Sequence, residues 1–262
     1  MLFLTPSQCS SHVGIPNFVL NFKTRKMIDS ISIKCTARIA GFLYLLQIPL
    51  GVLGIVYVPK QLIVANNLSA TVSNILANEF LFRSSIISAI FCALVTVATA
   101  YYIHKVLRPV NSTIAKAIVL FTILVAPISI LNELNNVAVL VLLKTPEYAS
   151  MFSVDQLNLA VAFFLDLHKY GIWIVDIFFG LWLLPMSYLV INSGYIPKII
   201  GFFLILTCLG YLIDFITAFL LPNFDIIISE YTWLGEVLMV AWLLIVGIKQ
   251  TEYDKYKLGK AN

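Results

Sequence analysis

The chain has 262 residues, of which 60% are hydrophobic and only 11% are charged, and its formal net charge is +4. A soluble domain carries roughly 25% charged residues, and a water-soluble fold of this size cannot cover so much apolar surface. The composition excludes a soluble globular protein and indicates a lipid bilayer as the solvent. The basic residues lie in short segments between apolar runs, so no nucleic-acid partner is expected.

Residues 1–34 are predicted to be an N-terminal tail. They lack the basic first region of a secretory signal, and Pro6 and Pro16 interrupt their apolar stretches. Translation starting at Met27 is one interpretation of this segment. The other two interpretations are a poorly ordered tail and a functional arm. A start at Met27 or a poorly ordered tail is favoured over the functional arm.

Six apolar segments are each long enough to cross a bilayer, which takes roughly 20 helical residues. The segments are 37–58, 84–104, 114–143, 168–190, 199–221 and 231–248. They predict an all-α, polytopic integral membrane protein whose transmembrane domain covers residues 35–250, followed by a C-terminal tail over 251–262. Pro49 and Pro127 lie within spans, where neighbouring helices make a kink tolerable.

Lysines and arginines concentrate on one side of the predicted bundle. That side holds Lys23, Arg25, Lys26, Lys34, Arg38, Lys105, Arg108, Lys116, Lys198, Lys249, Lys255, Lys257 and Lys260. The other side holds Lys60, Arg83, Lys144 and Lys169. Because cytoplasmic loops carry an excess of Lys and Arg, both termini are predicted to be cytoplasmic. The loops 59–83, 144–167 and 222–230 are then extracytoplasmic, and the protein is predicted to lie in the cytoplasmic membrane.

Two of these outer loops carry helical patterns. In LSATVSNILANEFLFR, Ser69 is a candidate N-cap, and apolar residues recur at helical spacing at Val72, Ile75, Leu76 and Phe80. In SVDQLNLAVAFFL, Ser153 and Gln156 form a capping-box pattern. Both segments are predicted to be short amphipathic helices along the membrane surface, and a connector is favoured over a lid.

Polar and ionisable side chains gather toward the predicted extracytoplasmic end of the spans. The candidate ligand-binding residues are Arg83, Asn132, Glu133, Asn136, Asp166, His168, Lys169, Asp176, Tyr211, Asp214 and Glu236. A charge at membrane depth costs roughly 2.5–3.5 kcal/mol, so these groups are expected to face one another or water. Arg83 is predicted to be the cation of an ion pair across spans, with Glu133 or Asp166.

Helical phase sorts these residues into faces. In the third span, Ser129, Asn132, Glu133 and Asn136 share one face. In the fourth span, Asp166, Lys169, Trp173 and Asp176 share a face, and His168 points nearly the other way. In the fifth span, Thr207, Tyr211 and Asp214 align. Two interpretations stay open: an outward-opening acidic pocket for a small polar, cationic or lipid ligand or for protons, and a structural network that holds helices together.

The sequence predicts neither a metal site nor a cofactor. Its three histidines are His12, His104 and His168, and only His168 can reach the outer cluster, so a histidine-rich zinc site is excluded. One histidine with carboxylates stays open. Ser85 and Ser88 lie near the depth of His168 but have no nucleophile motif around them. The four cysteines show neither a disulfide framework nor a metal-binding spacing.

The order of several short motifs resembles a known family. The motifs are ARIAGFLYLL, LFR, LRPVN, LDLHKYG, FFGLWLLPMSYLV, SGYIPKIIG and GYLID. Together, from about Ala37 to Pro222, they resemble the prokaryotic membrane family known as domain of unknown function 4386. The resemblance implies a six-span bacterial or archaeal membrane protein and supports Met27 as the start. It carries over no activity and no catalytic residue.

Three functional hypotheses remain at this point. The favoured one is a transporter-like or ligand-sensing protein with a polar acidic pocket in the extracytoplasmic half. The second is an intramembrane enzyme that acts on a lipid or envelope substrate. The third is a structural or accessory membrane subunit. The sequence leaves the oligomeric state and the ligand open.

Overall fold

The computed structural model describes residues 32–221, 224 and 226–259. The predictions for the start at Met27 and for the N-terminal tail therefore lie outside the described residues, apart from the last few positions of that tail. The basic residues before Ser32 and Lys260 also lie outside them. Ser32 accepts a hydrogen bond from the backbone N–H of Cys35 and begins the first helix.

All regular structure in the described residues is helical, and six of the helices are long and apolar enough to cross a membrane. These six are α1 (Ile33–Leu62), α3 (Glu79–Leu107), α4 (Ser112–Lys144), α6 (Val154–Ser193), α7 (Lys198–Leu220) and α8 (Ser229–Val246). Three shorter helices are α2 (Leu68–Ala77), α5 (Pro146–Met151) and α9 (Gln250–Gly259). The predicted all-α, six-span architecture is confirmed.

The helices pack as a bundle with an apolar core and an apolar exterior. The most extensive packing joins α4 to α6, α6 to α7, α1 to α3 and α3 to α4. Trp182, Leu183 and Met186 of α6 are fully buried at the centre of the largest core cluster. Phe42 and Leu131 are instead more than half exposed, which suits side chains that face lipid.

The segment predicted as a separate surface helix is the first part of α6. The capping box of Ser153 and Gln156 is present, but the helix that it starts continues without a break for 40 residues to Ser193. Val161, His168 and Val175 are buried at seven-residue spacing, so one continuous seam faces the bundle. Because that seam stays in phase and residues 154–175 contain no proline, the surface helix and the span form one element.

The helix predicted between the first two spans exists, with different ends. Its N-cap is Asn67 and not the predicted Ser69. The Asn67 side chain accepts a hydrogen bond from the backbone N–H of Ala70. The Ser69 hydroxyl accepts a hydrogen bond from Asn158 of α6, at 3.0 Å between Oγ and Nδ2. Phe80, the last residue of the predicted apolar pattern, belongs to α3 and is almost fully exposed.

The predicted C-terminal tail contains the helix α9, which packs against the turn between α6 and α7. Its Tyr253 and Tyr256 rings lie 5.7 and 5.8 Å from the ring of Tyr195. The Tyr195 hydroxyl donates to the carbonyl of Val106 at 2.8 Å, and burial raises the pKa of this hydroxyl. Gly247, with a φ of 64°, makes the turn between α8 and α9 in a conformation that favours glycine.

The orientation of the bundle gives the first testable prediction. Single cysteines are introduced at Val110, Tyr148 and Lys255 in a variant without native cysteines, and intact cells are treated with an impermeant thiol reagent. The Lys and Arg bias predicts labelling at 148 and none at 110 or 255. Labelling from outside at 110 or 255, or protection at 148, would contradict both cytoplasmic termini.

Candidate functional site

A buried carboxylate–histidine pair joins α4 to α6. The Nε2 atom of His168 lies 2.9 Å from Oε1 of Glu133, and both side chains are about nine-tenths buried. The second oxygen, Oε2, accepts a hydrogen bond from Asn136 at 2.9 Å. Each oxygen of the Glu133 carboxylate therefore has one partner, as a carboxylate away from water requires.

A second contact between the same helices depends on a glycine. The side-chain amide of Asn132 donates to the backbone carbonyl of His168 at 2.9 Å, and Asn135 donates to Asn132 at 3.1 Å. A Cβ atom on Gly171 would overlap the Asn132 side chain. The small residue therefore lets α4 approach α6 closely enough to position the Glu133–His168 pair.

Asp176 differs from the other buried acids. It is about nine-tenths buried, yet no hydrogen-bond donor and no cation contacts its carboxylate anywhere in residues 32–221, 224 and 226–259. It lies within electrostatic range of Asp214 and of Tyr211 on α7. Burying a carboxylate without a partner is costly, so Asp176 is the feature of this bundle that most needs a further group.

Asp176 lines a cavity of about 60 Å³ between α1, α3, α4 and α6. Its polar lining comes from α4 and α6, and its apolar lining comes from α1, α3 and α6. The lining residues are Ile55, Ala89, Cys92, Ala93, Ser129, Asn132, Glu133, Ile172, Val175, Asp176 and Phe179. We call this space, with these residues, the central cavity. Cys92 lies roughly 20 Å along α3 from Glu79, at about 1.5 Å per residue, which is near the middle of that helix.

One further buried carboxylate, that of Glu236, lies outside the cavity lining, and one of its two partners could not be found from the sequence. The Glu236 carboxylate of α8 accepts the hydroxyl of Tyr44 at 2.6 Å and the hydroxyl of Tyr211 at 3.0 Å. Tyr44, on α1, was not among the candidate residues. Because it is separated from Glu236 by 192 positions, only the tertiary structure reveals the pair.

Asp214, another candidate ligand-binding residue, contacts backbone groups at the start of α8. Its two carboxylate oxygens accept the backbone N–H groups of Ile228 and Ser229, at 2.6 and 2.8 Å, and it is 1% exposed. These N–H groups lie at the start of α8, where the helix itself supplies no carbonyl to accept from them and where a negative charge is favoured. Asp214 therefore anchors the entry to α8 and does not line the central cavity.

The ion pair across spans exists, but Arg83 is not its cation. Arg83 pairs with Glu79 on its own helix, at 2.7 Å, and its side chain is half exposed. Lys144 at the end of α4 contacts the other oxygen of Glu79 at 2.7 Å and forms the inter-helix pair. Glu79 was not a candidate residue, and it lies one turn before Arg83, closer than Glu133 or Asp166.

The members of the predicted common face of α6 differ in burial. Asp166 and Lys169 are exposed, while His168 and Asp176 are buried. Helical phase relates residues to one another, but it does not say which arc of a helix faces its neighbours. The seam through Val161, His168 and Val175 turns Asp166 and Lys169 outward.

A chain of neutral polar groups continues past the cavity toward the end where α3 terminates. Gln47 of α1 donates to Thr99 and accepts from Thr96, each at 2.8 Å. Cys92, which lines the cavity, donates to the carbonyl of Gln47 at 3.7 Å. The hydroxyls of Ser85 and Ser88 both donate to backbone carbonyls.

In the part of the chain that the structure describes, no three His, Cys, Asp or Glu side chains come together as ligands for a metal ion.

Comparison with known proteins places the chain in a family. Residues 39–247 match the family described as "Domain of unknown function (DUF4386)". The chain belongs to the DUF4386 family. A relative from Archaeoglobus fulgidus, which carries the name "Uncharacterized protein", is 34% identical over 158 residues, covering 60% of this chain and 79% of the relative. No solved structure matches the chain. The match to DUF4386 includes every residue of the central cavity.

Proposed function

We propose that this member of the DUF4386 family binds a small cation at Asp176 in the central cavity and carries it across the membrane. The observation that carries the proposal is the buried Asp176 carboxylate without a partner on the wall of a cavity. A carboxylate retained at that depth is costly unless a ligand, a proton or a cation completes it. Asp176, not the whole outer cluster, is the centre of the proposed site.

The charge balance of the buried acids favours a cation. Glu133 contacts His168, whereas no Lys or Arg in the described residues pairs with Asp176, Asp214 or Glu236. Asp214 and Glu236 are satisfied by neutral donors, which supports a structural role for them. That leaves Asp176 as the acid with unused acceptor capacity. A cationic ligand compensates this excess without any further protein group.

The position of the cavity and the helices around it favour transport over passive structure. Ile55, in the wall of the cavity, lies in a π-helical segment, Val52–Tyr57, that follows Pro49. π-Helical turns often occur at functional positions, and transporters bind substrate near the midplane beside irregular helices. Pro127 in α4 and Pro185 in α6 each remove one backbone hydrogen bond from helices that otherwise continue without a break. A purely structural subunit needs neither the cavity nor the unpaired acid.

Asp176→Asn tests the binding site directly. The purified wild-type protein in detergent is unfolded thermally with and without a panel of monovalent cations. A cation at about 100 times its Kd stabilises the bound form by about 2.7 kcal/mol, so a clear rise in Tm is expected. Asp176→Asn should lose this rise because the isosteric amide removes the charge.

Asp214→Asn is the matched control for this experiment. It should lower the stability without ligand, because it weakens the acceptor for two backbone N–H groups at the start of α8. It should keep the cation-dependent rise in Tm. If the rise survives Asp176→Asn and disappears with Asp214→Asn, the site is at Asp214 and the proposal is wrong.

A further inference from the structure

We infer that the cation is a small alkylammonium ion and not a metal cation; this inference rests on the proposed function of the central cavity. The chemistry of the lining decides between the two classes. Seven of its eleven residues carry no oxygen in the side chain: Ile55, Ala89, Cys92, Ala93, Ile172, Val175 and Phe179. Such a wall accepts an apolar group and offers nothing to a bare metal ion.

Metal cations need more oxygen ligands than the cavity supplies. Ca²⁺ takes six to eight and Mg²⁺ requires an octahedral set. The side-chain oxygens of the lining come from Ser129, Asn132, Glu133 and Asp176. Glu133 is already engaged by His168 and Asn136, and Asn132 accepts from Asn135. Ser129 and Asp176 remain, which suits the few N–H donors of an ammonium group.

The polar and apolar linings match the two ends of an alkylammonium ion. The ammonium group would donate to the Asp176 carboxylate and to the Ser129 hydroxyl. The alkyl group would lie against Ala89, Ala93 and Phe179 and displace water from them. Phe179 also brings an aromatic ring to the lining, and ammonium ions are attracted to aromatic faces.

The cavity volume sets the size of the ligand. A single water needs roughly 10–15 Å³, and a cavity of about 150 Å³ holds benzene. The central cavity, at about 60 Å³, lies between these limits. This volume suits methylammonium or ethylammonium and excludes a ring or a long-chain amine without rearrangement of the helices.

The experiment compares cations at equal ionic strength on purified wild-type protein, by calorimetric titration and by Tm. The probes are the chlorides of sodium, potassium, magnesium, ammonium, methylammonium, ethylammonium and tetraethylammonium. We expect methylammonium or ethylammonium to bind at least about tenfold more tightly than sodium or potassium, a difference of about 1.4 kcal/mol. Tetraethylammonium, which is too large for the cavity, should not compete.

Two variants assign the binding to the two ends of the site. Asp176→Asn should weaken alkylammonium binding by at least about tenfold, and Phe179→Leu should weaken it by about the same factor through loss of the aromatic face. Phe179→Leu keeps an apolar side chain, so it tests the inference even if Asp176→Asn does not fold. Tyr231→Leu, on an exposed aromatic residue away from the cavity, is the control and should change nothing.

The outcomes separate this inference from the proposed function. If sodium or potassium binds through Asp176 and the alkylammonium ions do not, the ligand class is wrong and the proposed cation site stands. If no cation binds in a way that Asp176→Asn weakens, both are overturned. If methylammonium or ethylammonium binds and both variants weaken it, the ligand class and the cation-binding part of the proposed function both hold.

Discussion

Replacing His168 by alanine is expected to lower the free energy of unfolding by about 3–5 kcal/mol. The change removes the partner of Oε1 of Glu133 and leaves the carboxylate with Asn136 alone in a site that is about nine-tenths buried. The Glu133 carboxylate then loses its contact with the imidazole but stays buried, so water does not replace the lost hydrogen bond. The measurement is unfolding of the purified protein in mixed micelles with increasing SDS.

A double-variant comparison separates this electrostatic effect from lost packing. Glu133→Leu with His168→Leu removes both polar partners, and it should cost less than His168→Leu alone, because no buried charge is left unpaired. His104→Gln is the control: the Nε2 atom of His104 is buried but has no hydrogen-bond partner among the described residues. It should change stability by less than about 0.5 kcal/mol. Equal effects of His168→Ala and His104→Gln would show that the pair does not form.

The six spans were predictable because they depend on local composition alone. An apolar run of about 20 residues has one stable conformation in lipid, so the helices follow from the sequence without knowledge of their neighbours. The capping box at Ser153 and Gln156 was predictable for the same reason. The start of α2 was less predictable, because Asn67 and Ser69 are both residue types that cap helices well. The partner of Ser69, Asn158, is distant in the sequence, so its contact could not be foreseen.

The arrangement of polar side chains was only partly predictable, because it depends on which helices are neighbours. The side of α4 that carries Ser129, Asn132 and Glu133 does face the cavity, as helical spacing suggests. The pairing of Glu79 with Lys144 needs the start of α3 beside the end of α4. The sequence alone does not show that α3 and α4 meet at these ends, or that α1 and α8 bring Tyr44 next to Glu236.

The lack of a partner for Asp176 is the part that no pattern reveals. Depth along the helix identifies Asp176, Asp214 and Glu236 as equally costly acids. Only the structure shows that two backbone N–H groups satisfy Asp214 and that two tyrosines satisfy Glu236. The distinction matters for function, since an acid with partners stabilises the bundle and an acid without them is free to bind a ligand.

Replacing Gly235 by alanine is expected to destabilise the bundle by about 1–3 kcal/mol or more. Gly235 is buried where α8 crosses α7, and a Cβ atom there would lie 2.5 Å from the carbonyl carbon and oxygen of Phe203. A side chain could rotate away from such a contact, but the backbone of α7 cannot. The two helices would have to separate, which would strain the hydrogen bond from Thr207 to the carbonyl of Thr232.

Gly51→Ala is the matched control, with an effect expected in the opposite direction. The nearest atom to a Cβ on Gly51 is Sγ of Cys92 at 3.9 Å, an ordinary contact, so no helix has to move. Alanine is favoured over glycine within a helix by about 0.5–1 kcal/mol, so this variant should be at least as stable as the wild type. SDS unfolding of both variants makes the comparison. If Gly235→Ala is as stable as Gly51→Ala, α8 does not cross α7 at Phe203, and the position of Glu236 beside Tyr211 loses its support.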